Sequence, residues 1–163
     1  MRLNLILGFA NAFLILVIFS CDKNQPIKNF NLEKEIDSLT KTLNPQDSVI
    51  LNLELCKTFP GIWDSIAILG PYASRKSFDS LSLKSNKSID EIFDNTYRDN
   101  ITTLVYINSD KIIGYSTVSR VPLDFSTLKS GNSNEIFILD KSDCNAISLK
   151  RIKNTTIIYE VFK

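Results

Sequence analysis

Phe59-Pro60-Gly61-Ile62-Trp63-Asp64-Ser65-Ile66-Ala67-Ile68-Leu69-Gly70-Pro71-Tyr72 is the run on which the architecture turns. It contains the only Trp, two of the five Pro and two of the five Gly, so punctuation and core are concentrated together. Pro60-Gly61 breaks the chain before an apolar run from Ile62 to Leu69, and Gly70-Pro71 breaks it again. An apolar run that short between two breaks is the pattern of a buried central strand. Within it, Trp63 is expected to fill the core and Asp64 to accept backbone N–H groups where the strand begins. Past the second break, Tyr72, Ser74, Arg75 and Lys76 form a candidate partner surface, because Tyr and Arg commonly supply contact energy.

Outward from this strand the pattern changes by segment. Leu32, Ile36, Leu39 and Leu43 recur at helical spacing, with Glu33, Lys34, Asp37 and Lys41 opposite, Asn31 as cap and Asn44-Pro45 as stop. This reads as an amphipathic helix. Val49 to Lys57 alternates Leu51, Leu53 and Leu55 against Asn52, Glu54 and Cys56, the period of a half-buried strand. Ser74 can cap a short helix with Phe78 and Leu81 inward. Ser88-Ile89-Asp90-Glu91 fits a capping box for a second, with Ile89, Ile92, Phe93 and Tyr97 as its apolar face.

The second half is strand-rich. Thr102–Asn108 and Lys111–Ser119 flank Ser109-Asp110 as a hairpin, and Gly114 marks a bulge or close packing. Val121-Pro122 ends it, Leu123 to Asn134 reads as a polar loop, and Glu135–Asp140, Ala146–Ile152 and Thr156–Phe162 read as further strands. The expected fold is α+β: a mostly antiparallel sheet of about five to seven strands, an N-terminal amphipathic helix and one or two short helices.

The first residues bear on location. Arg2 precedes a mostly apolar run from Leu3 to Phe19, which ends at Ser20-Cys21 and turns polar at Asp22-Lys23-Asn24-Gln25. A charged tip, an apolar region and a small residue before the cut make a secretory signal. Ile18-Phe19-Ser20-Cys21 resembles the lipobox of bacterial lipoproteins, although Phe19 stands where small or aliphatic residues are commoner. The resemblance implies cleavage before Cys21, diacylglyceryl transfer to its thiol and, in many bacteria, N-acylation. Several acyl chains at one terminus anchor stably. An uncleaved membrane helix and a plain secreted chain are the alternatives; a run of about 17 residues is at the lower limit for spanning. The expected organisation is a signal peptide at 1–20, lipidated Cys21 and a tether through 30, and a single domain over 31–163.

Removing residues 1–20 takes away Arg2 and leaves basic and acidic side chains equal at 18 each. A neutral mature chain has no electrostatic footprint for nucleic acid. Membrane attachment is therefore expected through the acyl chains on Cys21, not through a polybasic patch. Cys56 and Cys144 are a candidate disulfide in an exported chain, closing a loop of about 90 residues and contributing at most about 4 to 5 kcal/mol. Two free thiols are the alternative.

Chemistry is sparse. The chain has no His, which closes Ser-His-Asp and Cys-His catalysis and histidine-ligated zinc. Asp90, Glu91, Asp94 and Asp99 cluster along one helix and its exit, where paired carboxylates can bind calcium or exchange protons. Acids in a first turn are also explained by the helix dipole, which makes them a solvated face. No catalytic residue, metal site or cofactor is expected.

Trp63-Asp64, Gly70-Pro71-Tyr72 and the hairpin Leu104-Val105-Tyr106-Ile107-Asn108 to Lys111-Ile112-Ile113-Gly114-Tyr115 resemble a scattered group of small, uncharacterised bacterial lipoproteins. The resemblance covers residues 59–119 and implies an exported domain with no catalytic residues to carry over. The leading expectation is a lipid-anchored domain of the bacterial cell envelope that binds a protein partner without catalysis. An immunity-type or inhibitor lipoprotein is the alternative, and an envelope enzyme or small-ligand carrier a further one.

Overall fold

The computed structural model describes residues 27–42, 49–50, 55–84, 89–128, 136–152 and 158–162. In chain order they form β1 (Lys28–Asn29), α1 (Glu33–Thr42), β2 (Val49–Ile50), α2 (Leu55–Thr58), β3 (Ser65–Leu69), α3 (Arg75–Asp79) and α4 (Ile89–Thr96). Then come β4 (Ile101–Asn108), β5 (Lys111–Ser119), β6 (Leu123–Asp124), β7 (Phe137–Asp140), β8 (Ser148–Ile152) and β9 (Ile158–Phe162). Cys21, Ser88 and the side chains of Cys56 and Cys144 lie outside the described residues, and with them the lipidation, capping-box and disulfide expectations. Among the described residues no helix is long and apolar enough to cross a membrane; the run from Leu3 to Phe19 is not among them.

The architecture is α+β. Its main sheet has five strands in the order β1-β5-β4-β3-β7, mixed because β1 runs parallel to β5 while the other pairs are antiparallel. β3 is an interior strand, one place from the β4 middle, and its apolar run explains why: Ile66 to Leu69 are buried on both faces. Ile66 and Ile68 face one core with Trp63, Leu104, Tyr106, Phe125 and Val161. Ala67 and Leu69 face a second, with Phe78 of α3, Ile92 and Phe93 of α4, and Tyr115. The strand begins only at Ser65: Trp63 is buried, whereas Ile62 is 77% exposed after the bend at Gly61, whose φ is +82°.

Four expectations are corrected. The strands do not share one sheet: β2, β8, β9 and β6 form a second, four-stranded sheet in that order, with β6 parallel to β9. Alternating residues specify a strand but not its partner, and the inner core between the sheets takes residues from both. Of the strand read over Val49–Lys57, the described residues show Val49–Ile50 as strand and contradict its last part. Leu55–Thr58 is a helical turn, and residues 51–54 lie outside the description. That turn delivers Phe59 into the core, edge-on to Trp63 at 6.0 Å and Tyr106 at 6.1 Å.

Third, Leu123–Leu128 is not loop but core. Leu123, Phe125 and Leu128 are buried, and the polar residues between them are satisfied internally. The Thr127 hydroxyl accepts the Val161 N–H at 3.0 Å, and Ser126 donates its N–H and hydroxyl to Asp124 at 3.0 and 2.6 Å. Residues 129–134 lie outside the description. Fourth, the fold starts before residue 31: Lys28 and Asn29 pair with Gly114 and Tyr115, and Phe30 packs edge-on to Tyr106 at 5.4 Å.

Gly114 makes that docking fit. A Cβ there would come within 2.1 Å of Phe30 Cε2 and 2.9 Å of the Lys28 carbonyl oxygen, so only glycine admits β1 this closely. The register slips here too, since Tyr106 pairs with Gly114 but Ile107 with Ile112, leaving Ile113 as the extra residue of a bulge.

Candidate functional site

Leaving β3, the chain turns through Gly70-Pro71-Tyr72-Ala73, with the Ala73 N–H donating to the Gly70 carbonyl at 3.2 Å. Proline presets the second turn position, and the third requires a positive φ that glycine normally supplies. Here Tyr72 supplies it, at φ 60°, and the residue is 61% exposed. A bulky residue held left-handed is strained, and such strain persists only where neighbours enforce it. The enforcing contact is the Tyr72 N–H, which donates at 2.7 Å to the carbonyl of Thr96, the last residue of α4. The Asp99 carboxylate accepts from the phenol and raises its pKa above the ordinary tyrosine value.

Tyr97 stands beside this turn, 71% exposed, which corrects its expected place on the apolar face of α4. The helix ends first. Buried Thr96 takes the inward position, its hydroxyl donating to the Phe93 carbonyl at 2.8 Å, and the Arg98 N–H turns back to the Asn95 carbonyl.

The remaining candidates divide. Ser74 is the N-cap of α3: its Oγ accepts the Ser77 N–H at 3.4 Å, so its hydroxyl serves the fold. Arg75 is held by Asp90 at 2.8 Å and Asp79 at 3.2 Å, with its guanidinium 5.0 Å from the Phe93 ring centroid, which clamps α3 to α4. The Asp90 contact also raises the Arg75 pKa. Lys76 is exposed. The outward-facing pair on this loop is therefore Tyr72 and Lys76.

Two residues that spacing did not single out complete the edge. Arg120, just past β5, donates from Nη1 to the Asp99 carbonyl at 2.8 Å and from its backbone N–H to the Asn100 carbonyl at 3.0 Å. The same guanidinium grips buried Asp124 through Nε at 3.1 Å and Nη2 at 2.9 Å, and that carboxylate raises the Arg120 pKa. Val121 follows, 46% exposed. The exits of β3 and β5 and the entry of β4 thus bring Tyr72, Tyr97, Asp99, Arg120 and Val121 to one end of the sheet.

An open groove of about 560 Å3 lies next to this end, lined by Phe30, Asn31, Glu33 and Asp37 on one side and Ser119 and Val121 on the other. The acidic cluster is dispersed among other contacts. Asp90 holds Arg75, Glu91 accepts the Tyr115 hydroxyl at 2.6 Å, and Asp99 faces Tyr72. Among the described residues no three His, Cys, Asp or Glu side chains are placed to hold a metal. No protein-family model matches the chain, and no curated protein and no solved structure matches it.

Proposed function

We propose that this chain is a lipid-anchored domain of the bacterial cell envelope that holds a protein partner at its Tyr72 edge, without catalysis. The observation that carries the reading is Tyr72: an aromatic ring turned to solvent from a backbone position that favours glycine. A glycine would fill the turn with less strain, so the ring is the feature that needs a reason, and exposed tyrosines are frequent anchors of protein interfaces. Tyr97 and Val121 extend the same edge with apolar area. In this reading Cys21 carries the acyl chains, Leu32 and Ile36 lay an N-terminal amphipathic helix against the inner core, and the domain is a single unit.

The test is a photoreactive residue at position 72 of the full-length protein in its own cell, with Lys34 on α1 as control. One protein captured from position 72 and not from 34 is the expected result, and a toxin or hydrolase as that protein would identify the inhibitor form of the reading. No capture from 72, or the same set from both positions, would sink it. The groove beside Val121 supports a second reading, a small-ligand carrier. It predicts a compound that raises the melting temperature of the domain, with the gain lost on substituting Phe30 or Ser119.

A further inference from the structure

We infer that the end of the main sheet carrying Ile62 and the β4–β5 turn faces the bilayer, and that the Tyr72 edge points away from it. The inference rests on the reading of Cys21 as the acylated residue, and the direction of β1 carries it further.

Lys28 pairs with Gly114, Gly114 with Tyr106, and Tyr106 with Ile66, so Ile27 is level with Ser65, the first residue of β3. β1 runs parallel to β5, and β3 shares that direction because each is antiparallel to β4. The chain therefore enters the sheet at the end where β3 starts and the β4–β5 turn lies. Tyr72 follows the opposite end of β3. Strand geometry puts it about 20 Å further along and, three strand spacings over, about 14 Å to the side. From Cys21 to Ile27 a fully extended chain spans at most about 20 Å. The axial separation alone takes up the whole of that reach. The domain therefore stands with Tyr72 on the membrane and β1 uppermost only with the tether stretched to its limit, at a cost in chain entropy that the opposite stance avoids.

The end so placed has the composition of a surface that meets lipid without a strong field. Ile62 is 77% exposed, with its carbonyl fixed at 3.1 Å by the Asn108 side-chain amide. Lys28 and Lys111 are exposed nearby, while Lys84 pairs with Asp110 and the Lys141 ammonium sits 5.5 Å from the Trp63 ring centroid. The facing acids are Asp64, held by the Ser109 N–H, Asp110, and Asp140 at the end of β7. Opposed charges in near-balance leave the acyl chains to hold the membrane and Ile62 to enter the headgroup region, as exposed apolar side chains do at interfaces.

The experiment places benzoylphenylalanine at position 62 and, separately, at position 72 of the full-length protein in its native membrane. Illumination is followed by mass spectrometry of the adducts and of the N-terminal peptide. Acylated Cys21 with phospholipid adducts several-fold more abundant from position 62 than from 72 is the expected result. Acylated Cys21 with equal lipid capture from both positions, with more from 72, or with only protein captured at 62 overturns the orientation and leaves the anchor standing. An unmodified Cys21 removes the anchor reading, and the orientation falls with it.

Discussion

The Asp64 carboxylate accepts the backbone N–H of Ser109 at 2.7 Å, joining the start of β3 to the β4–β5 turn across 45 residues. Ser109 occupies the positive φ, 57°, that a two-residue hairpin turn requires. The bond therefore holds both the turn and the Ile62 segment. Asp64→Ala is expected to lower stability by about 1 kcal/mol, the usual net worth of one such hydrogen bond. Asp64→Asn, which keeps an acceptor oxygen, should recover much of it; equal losses in chemical denaturation would show that the bond contributes nothing.

Gly114→Ala is expected to detach the first strand. The added Cβ collides with the Phe30 ring and the Lys28 carbonyl, and overpacking of this kind costs about 1–3 kcal/mol. Hydrogen exchange should quicken at Phe30, whose N–H donates to the Tyr115 carbonyl at 2.7 Å, while β3 and β4 stay protected. Unchanged exchange at Phe30 would mean that the sheet absorbs the methyl.

Arg120→Ala removes the ion partner of the Asp124 carboxylate, whose side chain is only 9% exposed. Ser126 still donates to Asp124 through its N–H and hydroxyl, and Arg120 itself is partly solvated. The expected loss is thus about 2 kcal/mol, below that of a fully buried pair. The double variant Arg120→Ala, Asp124→Ala measures the coupling. Additive single losses would leave the pair without a stabilising role.

Alkali should destabilise the fold through its tyrosines. Burial, together with the Glu91 carboxylate that accepts its hydroxyl, pushes the Tyr115 pKa to about 12, and desolvation raises that of Tyr106 as well. From pH about 10 upward the unfolded chain loses phenolic protons that the folded chain retains. The stability contribution is complete below pH 10 and declines as pH rises through 12. Tyr115→Phe should make that decline shallower in thermal melts across this range; an unaltered slope would rule the residue out as its source.

Tyr72→Gly separates contact from folding. Glycine relieves the left-handed strain but adds freedom to the unfolded chain, and the two effects oppose each other at similar size. The melting temperature is expected to move little, while crosslinking of the partner from a photoreactive residue at neighbouring Tyr97 disappears. Capture that persists unchanged would locate the contact elsewhere.

Residue types and their spacing by themselves determined the local geometry. Pro60-Gly61 and Gly70-Pro71 bound an apolar run, which specified an interior strand. Ser109-Asp110 between alternating runs specified the β4–β5 hairpin, and Ser74 three residues before Ser77 specified the cap of α3. These features depend on neighbours within a few residues, where backbone sterics and side-chain reach suffice. Tertiary structure alone decided which strands share a sheet, and it drew Leu123 to Leu128 into the core although their neighbours are polar. It also brought Tyr72, Asp99 and Arg120 together. The physical reason is common to all three. A polar residue such as Thr127 reads as loop until Val161 supplies its hydrogen bond, and an exposed edge exists only once strands far apart in sequence end at the same place.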